Sequence, residues 1–147
     1  MSERTASCLC GGVKVQVQGE PIMKNLCHCS SCQKFTGVVF GSFVTYKTEQ
    51  VTFTETEPSI LKMYEDASTD SGQVLQRSFC GKCGSPVRVQ RANTDFLAVP
   101  VGIIDGDKAD FKPSLELYCK GKADWVGAIE DIKSFAAMPP TYSPANQ

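Results

Sequence analysis

Alternating apolar and polar residues are the main pattern along this chain. The clearest case is residues 13–18, where valines alternate with lysine and glutamine. A period of two is typical of a β-strand with one buried face. Further short segments rich in β-branched and aromatic residues predict strands at residues 38–46, 51–54, 60–64, 74–79, 86–90, 96–104 and 115–119. This series of short strands, with few helical periods, predicts an all-β fold.

Turn signals divide the predicted strands. Thr69-Asp70-Ser71-Gly72 predicts a turn, so residues 60–64 and 74–79 are expected to form a hairpin. Residues 125–135 could hold one short C-terminal helix. Residues 139–147 contain three prolines, which predicts a flexible tail after a single zinc-binding catalytic domain at residues 1–138.

Composition excludes some classes of function. A formal net charge of −1 gives no basic surface for nucleic acid, so we expect no nucleic-acid partner. No apolar run is long enough to span a membrane, and the first residues do not resemble a secretory signal. We therefore expect a cytoplasmic protein without a membrane partner.

The cysteines carry the candidate chemistry. Seven of the eight fall into three clusters, Cys8-Leu9-Cys10, Cys27-His28-Cys29-Ser30-Ser31-Cys32 and Cys80-Gly81-Lys82-Cys83. Disulfides are the alternative interpretation, but CxC and CxxC spacing without a secretory signal favours metal binding. Paired cysteines a few residues apart are typical of zinc sites.

Four of these cysteines predict a structural zinc site. Cys8 and Cys10 would face the same side of an extended segment, since side chains two residues apart point the same way. Cys80 and Cys83 resemble a zinc knuckle, in which Gly84 adopts the left-handed backbone that follows the turn. A zinc ion bound by all four would connect the amino terminus to a distant hairpin.

The remaining three, Cys27, Cys29 and Cys32, predict a zinc site with an open fourth position. The alternative is a structural site completed by Cys119 or His28. His28 should point away from the metal if its two neighbours converge on it, which favours a packing role. Cys119, in a predicted apolar strand, is expected to be an inert buried thiol.

An all-thiolate zinc suits a substrate thiol, because coordination deprotonates the thiol and yields a nucleophile near neutral pH. The open site therefore predicts thiol chemistry.

Five motifs give the chain a resemblance to a known family. They are Cys8-x-Cys10-Gly11-Gly12, Cys27-His28-Cys29-Ser30-x-Cys32, Arg77-x-Phe79-Cys80-x-x-Cys83-Gly84-Ser85, the segment 102–105 and Lys122-x-x-Trp125. Together they resemble the glutathione-dependent formaldehyde-activating enzymes, a family that includes centromere protein V. The likeness runs from about Cys8 to Phe135. Many members carry a histidine where this chain has Glu116, so the role of that histidine does not transfer here.

The resemblance implies a zinc-stapled β-tent fold of stacked antiparallel sheets with two zinc ions per chain. It implies a structural zinc on Cys8, Cys10, Cys80 and Cys83, and a catalytic zinc on Cys27, Cys29 and Cys32. The implied reaction is that of a carbon–sulfur lyase, which joins glutathione and formaldehyde reversibly into S-(hydroxymethyl)glutathione.

Glutathione is anionic, so its binding would need cations. The predicted substrate-binding residues are Arg77, Lys122 and Trp125; the other candidates are Lys24, Lys34, Arg88 and Lys120, with Phe35 and Phe43 as further possible lining.

Two other functions remain open from the sequence. The same fold could act on another thioether, or on a non-thiol metabolite bound to zinc as a Lewis acid. The chain could instead be a non-enzymatic zinc interaction module, as in the centromere branch, although it lacks the basic extensions expected of that branch. The sequence does not determine the physiological substrate or the oligomeric state.

Overall fold

The described part of the protein is a β-structure with one short α-helix. The computed structural model describes residues 2–139. Within that range the strands are β1 (Glu3–Ser7), β2 (Val13–Gln18), β3 (Met23–Cys27), β4 (Gly41–Lys47), β5 (Val51–Glu55), β6 (Leu61–Asp66), β7 (Leu75–Cys80), β8 (Pro86–Arg91), β9 (Phe96–Pro100), β10 (Leu115–Leu117) and β11 (Lys133–Ser134). The α-helix α1 is Ser30–Thr36.

The strands form two sheets. A three-stranded sheet has the order β1-β2-β5, and an eight-stranded sheet has the order β11-β10-β3-β4-β9-β8-β7-β6. This confirms the all-β prediction. The pairings are antiparallel except at β10, which runs parallel to both β3 and β11. The sheets are therefore antiparallel, as the resemblance implies, except at β10.

The core lies between the two sheets. Val13, Val15 and Val17 of β2 are at most 2% exposed, while the intervening polar residues face solvent. They share one apolar cluster with residues of the larger sheet, including Val44 and Leu97. Burying a side chain of this size contributes roughly 1.5–3 kcal/mol, so the alternation read from the sequence accounts for much of the packing of the two sheets.

The α-helix lies at Ser30–Thr36, not at residues 125–135, where the sequence pattern predicts one. Residues 125–135 form turns and the short strand β11, and the structure places no helix there. Two predicted strands are also too long: segment 96–104 leaves the sheet after Pro100, and segment 115–119 leaves it after Leu117. Each continues as a single 3-10 turn.

The predicted hairpin is confirmed. β6 pairs antiparallel with β7, and Tyr64 lies opposite Arg77. On the other side of the larger sheet, Leu117 of β10 pairs with Cys27 of β3. The sheet thus brings a C-terminal segment next to the central cysteine cluster.

No helix in residues 2–139 has the length and apolar character needed to cross a membrane. The predicted tail at 139–147 lies, apart from Pro139, outside the described residues.

Candidate metal centres and active site

The first cysteine cluster joins two hairpin turns. Cys8 and Cys10 lie between β1 and β2, while Cys80 ends β7 and Cys83 follows in the turn to β8. The four sulfur atoms lie within 4.8 Å of one another. The Sγ atoms of Cys8 and Cys10 are 3.6 Å apart, and those of Cys10 and Cys80 are 3.7 Å apart. The first pair lies in a tight turn, not in the extended segment that its spacing predicted.

Backbone and hydroxyl donors surround this four-thiol cluster. The backbone N–H of Val13 donates to Cys8 Sγ at 3.2 Å, and that of Lys82 donates to Cys80 Sγ at 3.4 Å. The hydrogen bond with Ser85 lowers the pKa of Cys83 to about 5. Gly84 follows with φ of 77°, the left-handed conformation predicted for it. Four soft donors with thiolate-stabilising hydrogen bonds fit a closed zinc site.

The second cluster lies where β3 passes into α1. Cys27 ends the strand, Cys29 is the N-cap of the helix, and Cys32 lies in its first turn. All three are 7% exposed, and their sulfur atoms lie within 4.8 Å of one another. The backbone N–H of Cys32 donates to Cys29 Sγ at 3.3 Å. A strand-to-helix path therefore gathers the three thiols.

The three thiols affect each other's protonation. Contacts with Cys27 and then Cys32 lower the pKa of Cys29 to about 3. Contacts with Cys29 and Cys32 raise the pKa of Cys27. Further deprotonation would place like charges together in a buried site, which is unfavourable without a cation. Three converging sulfurs without a fourth His, Cys, Asp or Glu in their group, among the described residues, fit a zinc site with an open position.

A cavity of about 580 Å³ opens onto this three-thiol cluster. Its lining includes all three cysteines and the buried apolar side chains of Phe43 and Leu117. The exposed residues Asp70, Arg91 and Lys120 also contribute to it. This volume lies in the range of small-molecule sites, and apolar walls with a few polar groups are typical of them. The four-thiol cluster contributes no residue to this cavity.

Arg77 lines the cavity from β7 and is only 3% exposed. Its Nε donates to Asp66 Oδ2 at 2.7 Å, and its Nη1 lies 3.9 Å from Cys32 Sγ. Its guanidinium carbon lies 5.3 Å from the centre of the Phe35 ring. Burial acts to lower the pKa of Arg77, but Asp66 and Cys32 outweigh it and raise the pKa. Arg77 is therefore a permanent positive charge beside the thiols.

The other two predicted substrate-binding residues lie elsewhere. Trp125 is 77% exposed, and neither it nor Lys122 lines the cavity. Of the additional candidates, Lys120 and Phe43 line the cavity. Those that do not line it are Lys24, Lys34, Arg88 and Phe35.

Lys122 instead belongs to a buried polar network with Glu116 and His28. Lys122 Nζ donates to Glu116 Oε1 at 3.0 Å, and His28 Nε2 lies 3.0 Å from the same oxygen. Ser134 Oγ donates to the other oxygen at 2.9 Å. Burial raises the pKa of Glu116, but the hydrogen bonds from Lys122, His28 and Ser134 leave it below its ordinary value. The His28 side chain is fully buried and faces Glu116, not the three thiols. It therefore has the packing role that the sequence favours.

Cys119 lies beside this network in a 3-10 turn and is half-buried, so it is not the strand residue that the sequence predicted. Its sulfur, Glu116 and His28 have ligand atoms within 4.8 Å of one another. The Lys122 ammonium already binds the carboxylate there, so a metal cation would compete with an existing positive charge.

Backbone packing also fixes this region. A Cβ on Gly121 would come within 2.7 Å of the His28 carbonyl oxygen, so any larger residue would push the two segments apart. Gln33 Nε2 donates to that same oxygen at 2.9 Å. The junction of β3 and α1, which carries the three thiols, is thereby held against the C-terminal segment.

Sequence reasoning missed Asp66 and Arg91. Asp66 could have been found by extending the predicted hairpin towards its turn, because it lies two residues beyond Tyr64, the residue opposite Arg77. Arg91 reaches the cavity from β8, a placement that depends on the order of non-adjacent strands and has no local signal.

Comparison with known proteins agrees with this architecture. A crystal structure of a Rhodobacter sphaeroides protein resembles the chain with a TM-score of 0.55 and 21% sequence identity, covering 72% of this chain and 92% of that one. At this identity the likeness shows the fold alone. None of the curated proteins searched matches the chain. The model of one family, described as glutathione-dependent formaldehyde-activating enzyme, matches residues 3–121, a range that contains all seven clustered cysteines. The chain therefore belongs to the glutathione-dependent formaldehyde-activating enzyme family.

Proposed function

We propose that the protein is a zinc-dependent carbon–sulfur lyase that interconverts glutathione and formaldehyde, or a similar small aldehyde, with S-(hydroxymethyl)glutathione. The observation that carries the proposal is the placement of three buried thiols at the wall of a cavity of about 580 Å³. Family membership supports glutathione and formaldehyde as the reactants.

Two zinc ions per chain are part of the proposal. Cys8, Cys10, Cys80 and Cys83 would hold a structural ion, because they supply a complete set of four sulfur ligands. The three-thiol cluster of Cys27, Cys29 and Cys32 would hold the catalytic ion. A zinc ion bound by three thiols would supply a position at which a substrate thiol is held in its nucleophilic, deprotonated form.

The lining of the cavity suits a charged thiol that carries its reactive sulfur into a drier interior. Arg91 and Lys120 are exposed and complement the carboxylates of glutathione, whereas Asp70 complements its ammonium group. Phe43 and Leu117 are buried and limit the access of water to the thiols. Excluding water strengthens every electrostatic interaction at the reacting atoms.

The proposed reaction is an addition and its reversal. The substrate thiol loses its proton to solvent, and its sulfur forms a bond with the aldehyde carbon. The carbonyl π electrons move to oxygen, which then takes up one proton. In the reverse direction the oxygen loses that proton, the carbon–sulfur bond breaks, and its electrons return to sulfur.

Isotope-exchange NMR with ¹³C-formaldehyde and glutathione tests the proposal, because it measures interconversion above the spontaneous rate. Cys29→Ser is the informative variant, since serine is also a favourable N-cap and should keep α1 folded. We expect it to lose the acceleration, whereas Cys119→Ser, outside both thiol clusters, should keep it. Wild-type protein that holds zinc but gives no acceleration would contradict the proposed reaction.

Metal content and cobalt substitution separate the alternatives. Elemental analysis should give two zinc ions per chain in the wild type and one in Cys29→Ser. Glutathione should also perturb the thiolate-to-cobalt absorption of the cobalt-substituted protein. An unchanged band would exclude glutathione and point to a different thioether or a non-thiol metabolite.

A further inference from the structure

One of the three guanidinium nitrogens of Arg77 has no hydrogen-bond partner among residues 2–139. Its Nε binds Asp66 and its Nη1 faces Cys32, but its Nη2 is buried and has no hydrogen-bond partner among residues 2–139. Buried polar groups in native proteins are nearly always hydrogen-bonded, so an exception needs an explanation such as a catalytic role or a bound water, ion or ligand. Because Arg77 lines the cavity, a bound ligand is the available partner.

The guanidinium group is also held in place. The Asp66 carboxylate accepts the hydrogen bond from Nε, and the guanidinium carbon lies over the Phe35 ring, 5.3 Å from its centre. Asp66 is itself positioned by the backbone N–H and the hydroxyl of Ser68, both at 3.1 Å. A rigid, charged donor in a buried site needs no rearrangement to stabilise charge that develops there.

We propose that Arg77 is a catalytic residue whose Nη2 donates a hydrogen bond to the aldehyde oxygen of the substrate. This inference rests on the proposed function and assigns an atom to it. As the thiolate sulfur bonds to the carbonyl carbon, the π electrons move onto oxygen, and the alkoxide forms beside the guanidinium. In the reverse direction the same contact stabilises the deprotonated hydroxyl before the carbon–sulfur bond breaks.

The position of Arg77 distinguishes this role from binding a glutathione carboxylate. A carboxylate usually takes two parallel hydrogen bonds from an arginine, and here the other nitrogens face Asp66 and Cys32. The contact with Cys32 places the guanidinium next to the thiols, where the sulfur of the adduct is expected to lie. Arg91 and Lys120 are exposed and free to take the distant carboxylates.

Arg77→Lys tests the proposal kinetically, because it keeps a positive charge opposite Asp66 but removes the forked donor. We expect kcat to fall about 100-fold, as on removal of one oxyanion donor, with KM for glutathione changed less than about threefold. The matched control is Arg88→Lys. Arg88 lies on the adjacent strand, has its guanidinium carbon over the Phe53 ring and donates to Ser78, but does not line the cavity. The Arg88→Lys variant should therefore leave kcat unchanged.

Zinc content and thermal unfolding are measured for each variant. If Arg77→Lys does not fold, the double variant Arg77→Met/Asp66→Asn removes both charges of the pair and should show the same loss of kcat. A raised KM with unchanged kcat would instead make Arg77 a glutathione-carboxylate contact. If the variant loses zinc and activity to the same extent, Arg77 would instead be a charge partner of the thiols that retains the metal. Either result overturns the proposal.

A binding measurement tests the same contact without turnover. Calorimetry would compare glutathione sulfonate, which presents anionic oxygens on sulfur, with S-methylglutathione, which has none. We expect the wild type to prefer the sulfonate about tenfold, the size of one charge-assisted hydrogen bond, and Arg77→Lys to lose that preference. An unchanged preference in the variant would overturn the proposal. Absence of exchange in the wild type would contradict the proposed function, while the two ligands would still decide the role of Arg77.

Discussion

The two cysteine clusters use the same ligand type in different surroundings. The four-thiol cluster joins two hairpin turns, with Cys10 exposed and Cys83 half-buried, and its donor set is complete. The three-thiol cluster is buried throughout, has no fourth ligand among residues 2–139 and faces a cavity. Burial and the missing fourth ligand, not the kind of ligand, therefore separate a site suited to stapling from one suited to chemistry.

The charges next to the clusters differ in the same sense. Beside the four-thiol cluster, Lys82 pairs with Glu57, and both side chains are more than half exposed. Beside the three-thiol cluster, the Arg77–Asp66 pair and the Glu116–His28–Lys122 network are buried or nearly so. Buried charges hold their geometry because removing either partner is costly, whereas exposed pairs contribute little. Fixed electrostatics are thus concentrated around the proposed reactive site.

The largest expected effect is loss of the fold when the four-thiol cluster is broken. The Cys80→Ser variant should already be unfolded at 25 °C and show no cooperative thermal transition by circular dichroism. Zinc binding at a structural site is worth roughly 10–16 kcal/mol, which matches or exceeds the whole stability of a typical domain, about 5–15 kcal/mol. Cys119→Ser is the control and should unfold cooperatively like the wild type. A melting temperature for Cys80→Ser within a few degrees of wild type would show that this cluster is not a staple.

The next effect is loss of activity without loss of structure on mild removal of metal. Titration with a zinc chelator should remove one zinc together with the exchange activity, while circular dichroism stays unchanged. The three-thiol cluster has an open position through which a chelator can attack, and the four-thiol cluster does not. Higher chelator concentrations should then unfold the chain. Simultaneous loss of both ions, or unfolding with the first, would remove the distinction between the clusters.

The cysteine motifs could be recognised from the sequence because the spacing within each is local and typical of zinc sites. Joining the Cys8/Cys10 pair to the Cys80/Cys83 pair, across 70 residues, rested on completing a set of four ligands and on the family resemblance. The fold class followed from alternation such as that of β2. The secondary-structure elements that the sequence did not predict are those with a weak local pattern. Strand β3 mixes Lys24 and Asn25 with apolar residues, and α1 has only seven residues, capped by a cysteine that the metal motif had already explained.

The contact between Glu116 and His28, which are 88 residues apart, was beyond the sequence. The contact of Asp66 with Arg77 lay within the predicted hairpin, but finding it required the exact strand register. The exposed position of Trp125 follows from the turns that replace the predicted helix. A motif resemblance marks such residues as noteworthy, but it does not state which of them face the cavity.

A smaller effect is expected from the polar network beside the three-thiol cluster. Glu116→Ala removes three hydrogen bonds and leaves His28 buried without its partner. We expect a loss of about 3 kcal/mol in the free energy of unfolding, measured by urea denaturation. An isosteric change, Glu116→Gln, should lose less because it keeps hydrogen-bonding capacity. A loss within error for Glu116→Ala would show that the network does not support this side of the fold.

The pH dependence of the stability difference between wild type and Glu116→Gln tests whether the network stabilises the fold through charge. The folded-state pKa of Glu116 is below its ordinary value of 4.5, so its ionised form stabilises the fold above that pH. The stabilisation should be lost as the pH falls from about 4.5 through the folded-state pKa. The difference between wild type and Glu116→Gln should therefore shrink over that acid range. A difference that stays constant would assign the effect to packing alone.

The smallest effect is expected at the exposed pair beside the four-thiol cluster. Glu57→Ala removes the contact of Glu57 Oε1 with Lys82 Nζ at 3.2 Å. Both side chains are more than half in solvent, where water and salt screen the attraction. The urea midpoint should match that of wild type within error at both low and high salt, in contrast to Glu116→Ala. A clear, salt-dependent loss for Glu57→Ala would mean that Lys82 acts through the neighbouring thiolates, and that the four-thiol cluster also depends on charges at its surface.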